Sequence, residues 1–203
     1  MFPTVICFYT EHTAYEARVK KLIASCNAFN LPYSIDSIPN LGSWERNCCY
    51  KPKYILRKLS DLQTPVLWID ADAEIVKKPK LFENFPPDIA LRIVKHLPNY
   101  HQSKMISGTV YFNNTPSAFD ILKQWDTECE RLLQINRNVW DQMALRNVLL
   151  RSNAHIYPLP NSYYMVYDRM KKGEDAFVIH YQLSRIEKRV INREVIPFWE
   201  WSP

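Results

Sequence analysis

The chain has 203 residues, 47% hydrophobic and 23% charged. That is the length and composition of one globular domain (residues 1–203) able to bury roughly 70% of its unfolded surface, which excludes disorder and low complexity. The net charge of +5 suits a modest anionic ligand and falls short of the dense basic footprint of a nucleic-acid binder, so no nucleic-acid partner is expected.

Val5–Tyr9 is a β-rich apolar run. Thr13 and Glu16 have the spacing of a capping box, and Tyr15, Val19, Leu22, Ile23, Cys26 and Phe29 follow on one helical face. Leu31–Ile38 reads as a second strand, so the chain opens as strand, helix, strand, the start of a parallel α/β sheet. Pro52 suits the first turn of a helix running to Leu62. Val66–Ile69 is wholly apolar and bounded by Pro65 and Asp70, the pattern of a strand buried on both faces. Strands follow at Ile89–Val94 and Thr109–Asn113, helices at Ser117–Leu133 and Val139–Leu150, and short strands at His155–Leu159 and Ala176–His180. Ser184 and Glu187 have the capping-box spacing again and open a last short helix. The basic stretches Arg18–Lys21 and Arg185–Arg193 read as solvated helix faces.

Three glycines, Gly42, Gly108 and Gly173, lie far apart. Walker and dinucleotide loops need clustered glycines so that backbone amides can approach phosphate, and both are excluded. Phosphates must then be held by side chains or a metal. The five cysteines are scattered without a CxxC, which fits free thiols in a reducing compartment. The start of the chain reads as neither signal peptide nor anchor, and no stretch approaches the ~20 apolar residues of a membrane span. The expected location is cytoplasmic.

Asp70-Ala71-Asp72 closes the buried strand. Carboxylates two apart can share a hard divalent ion such as Mg²⁺ or Mn²⁺, and ligands of open α/β sheets sit beyond the carboxyl ends of strands. A turn-forming pair that caps the strand is the bland alternative. His180 ends a second apolar strand, as a third ligand or as a structural histidine. The helix start at Ser184 offers free amides, and Arg185 in its first turn opposes the dipole, which is unfavourable unless an anion lies between. Asp70, Asp72, His180 and Arg185 together describe a metal-bridged diphosphate.

With these residues in order, the chain resembles nucleotide-sugar glycosyltransferases of the GT-A fold. The resemblance rests on Phe8-Tyr9-Thr10 with Tyr15, the stretch from Asn47 to Ile55, VLWIDADAEI, SGTVYFN at 107–113, Trp140-Asp141-Gln142, and the stretch from Val178 to Arg185. It implies an α/β domain with a central, mainly parallel sheet flanked by helices. It implies transfer of a sugar from a nucleotide-diphosphate donor to an acceptor, whether glycan, lipid or protein, with retention favoured over inversion. Asp70 and Asp72 would hold Mn²⁺ or Mg²⁺, with His180 as third ligand. Thr10 and Tyr15 would contact the nucleoside, and Lys51, with Lys53 as a rival, the diphosphate. Ser184 and Arg185 would lie near the phosphates, Gly108 and Thr109 would let sugar approach the backbone, and Asp141 and Gln142 would face sugar and acceptor.

Each residue also has an ordinary role open to it: a surface lysine at Lys51, a turn at Gly108, a dipole-favouring first-turn acid at Asp141, a core side chain at Trp140. A DxD phosphohydrolase would carry its motif on the opening strand, where this chain has none. A metal-dependent nucleotidyltransferase and a non-catalytic nucleotide-sugar-binding scaffold are the other readings. The aromatic stretch Ile196–Trp201 is expected to pack back on the domain, with a carbohydrate platform or a protein contact as the other uses.

Overall fold

In a computed structural model, residues 1–136, 138–170 and 175–193 are described. The aromatic stretch 196–201 and Gly173 lie outside the described residues. The opening is strand, helix, strand as expected: β1 (Thr4–Thr10), α1 (Ala14–Ala28) and β2 (Tyr33–Ile38), with β1 and β2 parallel. The capping box at Thr13 does not close. Its hydroxyl donates to Thr10 O at 2.6 Å, and Glu16 accepts from the His12 amide at 3.2 Å, one residue early.

Next come α2 (Trp44–Cys49), α3 (Lys51–Leu62) and β3 (Val66–Ile69). Helix α2 was not read from the sequence, although Ser43 caps it by accepting the Arg46 amide. All four residues of β3 are buried, as its pattern required. After β4 (Ala73–Ile75) and β5 (Ile89–Ile93), β6 runs over Met105–Phe112, four residues earlier than its expected start, because Met105–Gly108 are as buried as the rest. Two packed helices, α4 (Pro116–Ile135) and α5 (Asp141–Leu149), precede β7 (Ile156–Pro158), β8 (Met165–Val166), β9 (Val178–His180) and α6 (Ser184–Ile191).

The main sheet has the order β2-β1-β3-β6-β5-β7. Strand β6 pairs antiparallel with both neighbours, while the β1–β2, β1–β3 and β5–β7 pairs are parallel. The sheet is mainly parallel, and the one reversed strand presents its beginning, Ser107 and Gly108, where β3 presents its end, Asp70: the Asp70 amide donates to Gly108 O at 2.9 Å. A second sheet, β4-β9-β8, pairs Ala73 with His180. It brings β9 back beside the DxD turn. The core packs around Leu67, Tyr54, Phe112 and Trp125, all buried. All five cysteines are free thiols.

Candidate active site

A cleft of about 760 Å³ opens across the ends of β1, β3 and β5 and the start of β6. Asp70 and Asp72 lie on its floor. The Tyr181 amide donates to Asp72 O at 3.1 Å, so the β4–β9 pairing sets His180 behind the two carboxylates. One ligand atom from each of Asp70, Asp72 and His180 lies within 4.8 Å of the others.

Each of the three is oriented by neighbours. Asp70 Oδ1 accepts from Trp68 Nε1 at 2.8 Å and Lys51 Nζ at 3.0 Å. Asp72 Oδ2 accepts the Leu183 amide at 2.6 Å. Burial first, and then the charge of Asp70, push the Asp72 carboxyl up to about 6. His180 is fully buried, shares a 2.9 Å hydrogen bond with Thr109 Oγ1 through Nε2, and has no partner for Nδ1 among the described residues. Burial and then the Lys51 charge push its pKa down to about 3, so the imidazole is neutral. Gly108 sits against the cluster. A Cβ there would meet Tyr164 Cε2 at 2.4 Å, His180 Cε1 at 3.0 Å and Asp70 Oδ2 at 3.1 Å. Gly108 therefore serves close packing within a strand rather than a turn.

Lys51 is buried at the start of α3, not on the surface. Its Nζ pairs with Asp141 Oδ2 at 2.8 Å as well as with Asp70, and donates to Ser107 O at 3.3 Å. Burial alone would lower its pKa, but the Asp141 and Asp70 carboxylates outweigh that and hold it above the ordinary range. Burial raises the Asp141 carboxyl against the pull of Lys51. Gln142 accepts the Ser107 amide at 3.2 Å and donates to Gln102 O at 2.9 Å, which clamps the start of β6.

Every site residue singled out from the sequence lines the cleft except Thr109 and His180, which stand behind its wall, and Lys53, the rival of Lys51, which is exposed and outside it. Thr109 supports the His180 ring and is not a surface against which sugar could lie. Three local expectations are corrected. Leu183, not Ser184, caps α6, and Glu187 reaches the Ala14 amide at 3.4 Å instead of closing a capping box. The anion beside Arg185 is a protein carboxylate, Asp168, whose Oδ1 lies 3.3 Å from Nη2. Trp140 is half-buried and lines the cleft, edge-on to Trp44 with ring centroids 6.5 Å apart, and Lys188 Nζ lies over both rings.

Sequence reasoning missed Trp44, Tyr164, Lys188 and Arg92 in the cleft wall. Arg92 had a signal, since it interrupts the apolar strand IALRI. Tyr164 had none. It follows a short helical turn at Asn161–Tyr163, and its ring lies 4.2 Å from that of His180.

No protein-family model matches the chain, and no curated protein does. Solved structures do. A glycosyltransferase involved in glycosylation of the major capsid of PBCV-1 matches with a TM-score of 0.69 and 13% identity, over 95% of this chain and all of that one. The fold is that of GT-A-like glycosyltransferases. The glycosyltransferase GlyE of Streptococcus pneumoniae TIGR4 matches with a TM-score of 0.58 and 14% identity, over 88% of this chain and 55% of that one. Mouse xyloside xylosyltransferase 1 matches with a TM-score of 0.56 and 9% identity, over 90% and 98%. In this chain β3 runs into the Asp70-Ala71-Asp72 turn and β9 ends at His180. Among the described residues no helix is long and apolar enough to cross a membrane.

Proposed function

We propose that this protein is a metal-dependent glycosyltransferase that moves a sugar from a nucleotide-diphosphate donor to an acceptor. The observation that carries the reading is the cluster of Asp70, Asp72 and His180 in the large cleft of a GT-A-like fold. The donor set fits a divalent ion: two carboxylates, and a neutral imidazole whose Nδ1 is buried without a partner. The Thr109 hydroxyl fixes that ring by bonding Nε2, the kind of support that metal-bound histidines have. The nitrogen donor is less suited to Mg²⁺ than to Mn²⁺, which makes Mn²⁺ the first ion to test.

When bound, the ion supplies Lewis-acid stabilisation of a diphosphate leaving group. The chain's own residues do the rest. Thr10 and Tyr15 wall the end of the cleft for the nucleoside. Lys51 places a buried positive charge beside Asp70, toward the diphosphate. Asp141 and Gln142 flank the space left for sugar and acceptor. Retention is the favoured outcome from the Asp141-Gln142 resemblance; inversion needs a base at the acceptor hydroxyl, and His96 in the lining is the side chain to test for that role. The carboxylates of the described lining are Asp70, Asp72 and Asp141, and the last is neutralised by Lys51. Gln142 takes no proton.

The test is a thermal-shift panel of nucleoside diphosphates and their sugars, with Mn²⁺ and with chelator. A ligand at about a hundred times its Kd stabilises the native state by about 2.7 kcal/mol. A Mn²⁺-dependent shift with one base, followed by hydrolysis of the matching sugar donor, is the expected result. No shift with any nucleotide would remove the reading, and binding without hydrolysis or transfer would leave a scaffold.

A further inference from the structure

The cleft is charged unevenly. Of its carboxylates, Asp70 and Asp72 lie in the candidate metal cluster and Asp141 is joined to Asp70 through Lys51. Of the lysines and arginines that line it, Lys51 is matched by Asp70 and Asp141, Arg185 by Asp168 and Lys188 by Glu45, while Arg169 is exposed to solvent. Arg92 differs. Its Nη1 donates to Tyr164 O at 2.9 Å, its Nε is buried with no acceptor, and no carboxylate among the described residues pairs with it. A guanidinium presents a planar fork of donors that matches carboxylate and phosphate. Here Nη1 is engaged, the guanidinium carbon lies 5.9 Å from the Tyr164 ring centroid, and Nε has no acceptor among the described residues.

The sheet is irregular beside this side chain. Strand β5 keeps register with β6 through Leu91↔Val110, then slips so that Arg92 faces Ile106. The slip leaves 107–109 of β6, which include the cleft-lining Ser107 and Gly108, without partners in β5. The extra residues belong to β6, so the irregularity bends that strand and turns Ser107 and Gly108 out of the ladder beside Arg92. Arg92 also stands apart from the nucleoside end. In the sheet order β1-β3-β6-β5 it is two strands, or roughly 10 Å, beyond the strand that ends in Asp70, on the side away from Thr10.

We infer that the β5 half of the cleft is an anion-reading sugar subsite, in which Arg92 grips a carboxylate or phosphate carried by a saccharide. This rests on the glycosyltransferase reading for the saccharide, and on Arg92 and its bulge for the anion. The anion has two possible carriers, the transferred sugar and the acceptor sugar.

The experiment has two arms on the full chain. In the first, methyl β-glucuronide, glucose 6-phosphate and neutral methyl β-glucoside are titrated without nucleotide, by calorimetry or saturation-transfer NMR. In the second, UDP-glucuronate is compared with UDP-glucose in Mn²⁺. The expected result is a preference of tenfold or more for the acidic sugar in at least one arm, lost in Arg92→Gln and partly kept in Arg92→Lys. Nucleoside-diphosphate binding should be unchanged in both variants. A preference in the first arm puts the anion on the acceptor, and in the second on the donor. Equal affinity for charged and neutral sugars, a preference that survives Arg92→Gln, or loss of nucleotide binding in the folded Arg92→Lys protein would each overturn the inference. If the wild type binds no nucleotide yet keeps the preference in the first arm, the transferase reading fails and the subsite stands.

Discussion

Asp72 Oδ2 accepts the Leu183 amide at 2.6 Å, so one carboxylate both faces the candidate metal cluster and tethers the start of α6. The two roles separate by substitution. In Asp72→Asn the side-chain oxygen still accepts the amide, while the charge needed for a cation is gone. Mn²⁺-dependent nucleotide binding should vanish with little change in Tm. In Asp72→Ala the amide loses its acceptor at a cost of about 1–3 kcal/mol, and Tm should fall by several degrees as well. Calorimetry with and without Mn²⁺ reads both effects. Retained Mn²⁺-dependent binding in the asparagine variant would take Asp72 out of the metal site.

Gly108→Ala tests the packing of the cluster. The new methyl would lie 2.4 Å from Tyr164 Cε2 and about as close to His180 as atoms go without a shift, so the Tyr164 ring must move. Overpacking of this kind costs about 1–3 kcal/mol. The larger effect should fall on the ligands. Mn²⁺ affinity should drop at least tenfold, and trimming the obstructing ring in Gly108→Ala/Tyr164→Leu should restore part of it. Unaltered Mn²⁺ affinity in the single variant would show that the cluster tolerates the methyl.

Lys51 joins the half-buried Asp70 to the buried Asp141. Lys51→Met leaves those carboxylates without their cation, a change that costs about 3–5 kcal/mol in buried pairs. Adding Asp141→Asn should recover much of the stability, because it removes one of the stranded charges. It should not recover nucleotide binding if Lys51 also meets the diphosphate. Urea unfolding together with nucleotide titration of the single and double variants separates the contributions. Full recovery of binding in the double variant would confine Lys51 to charge balance.

How much of this was legible follows from how local each signal is. Strand β3 is a continuous apolar run ended by Asp70, and burial on both faces follows from that run alone. The DxD turn and His180 could be proposed as partners, but their meeting depends on β4 pairing with β9, and β4 is a three-residue strand with no readable period. Both capping boxes misled for one reason: the helix start was already served by a distant group, Asp72 at α6, or by a hydroxyl that turned back along the chain at Thr13. The pairing of Arg185 with Asp168, seventeen positions earlier, was not legible either. Long-range ion pairs leave no spacing in a sequence.

Glu128 makes a prediction far from the cleft. It accepts Arg131 Nε and Nη2, each at 2.8 Å, and Asn147 Nδ2 at 2.8 Å, and so ties α4 to α5. The Arg131 hydrogen bonds outweigh burial, which acts the other way, and hold its carboxyl down to about 2. The unfolded carboxyl titrates near its ordinary value of about 4.3. A folded pKa below the unfolded one means that the stabilisation is fully present above about pH 5 and is lost as pH falls toward about 2. Solvent screens part of it, because Arg131 is exposed. Glu128→Gln should therefore lower Tm by a few degrees near neutral pH, and the gap to the wild type should close as pH falls from about 5 to about 3. Thermal unfolding of both proteins across that range is the measurement. A gap that stays constant with pH would mean that the contact holds the helices by packing rather than by charge.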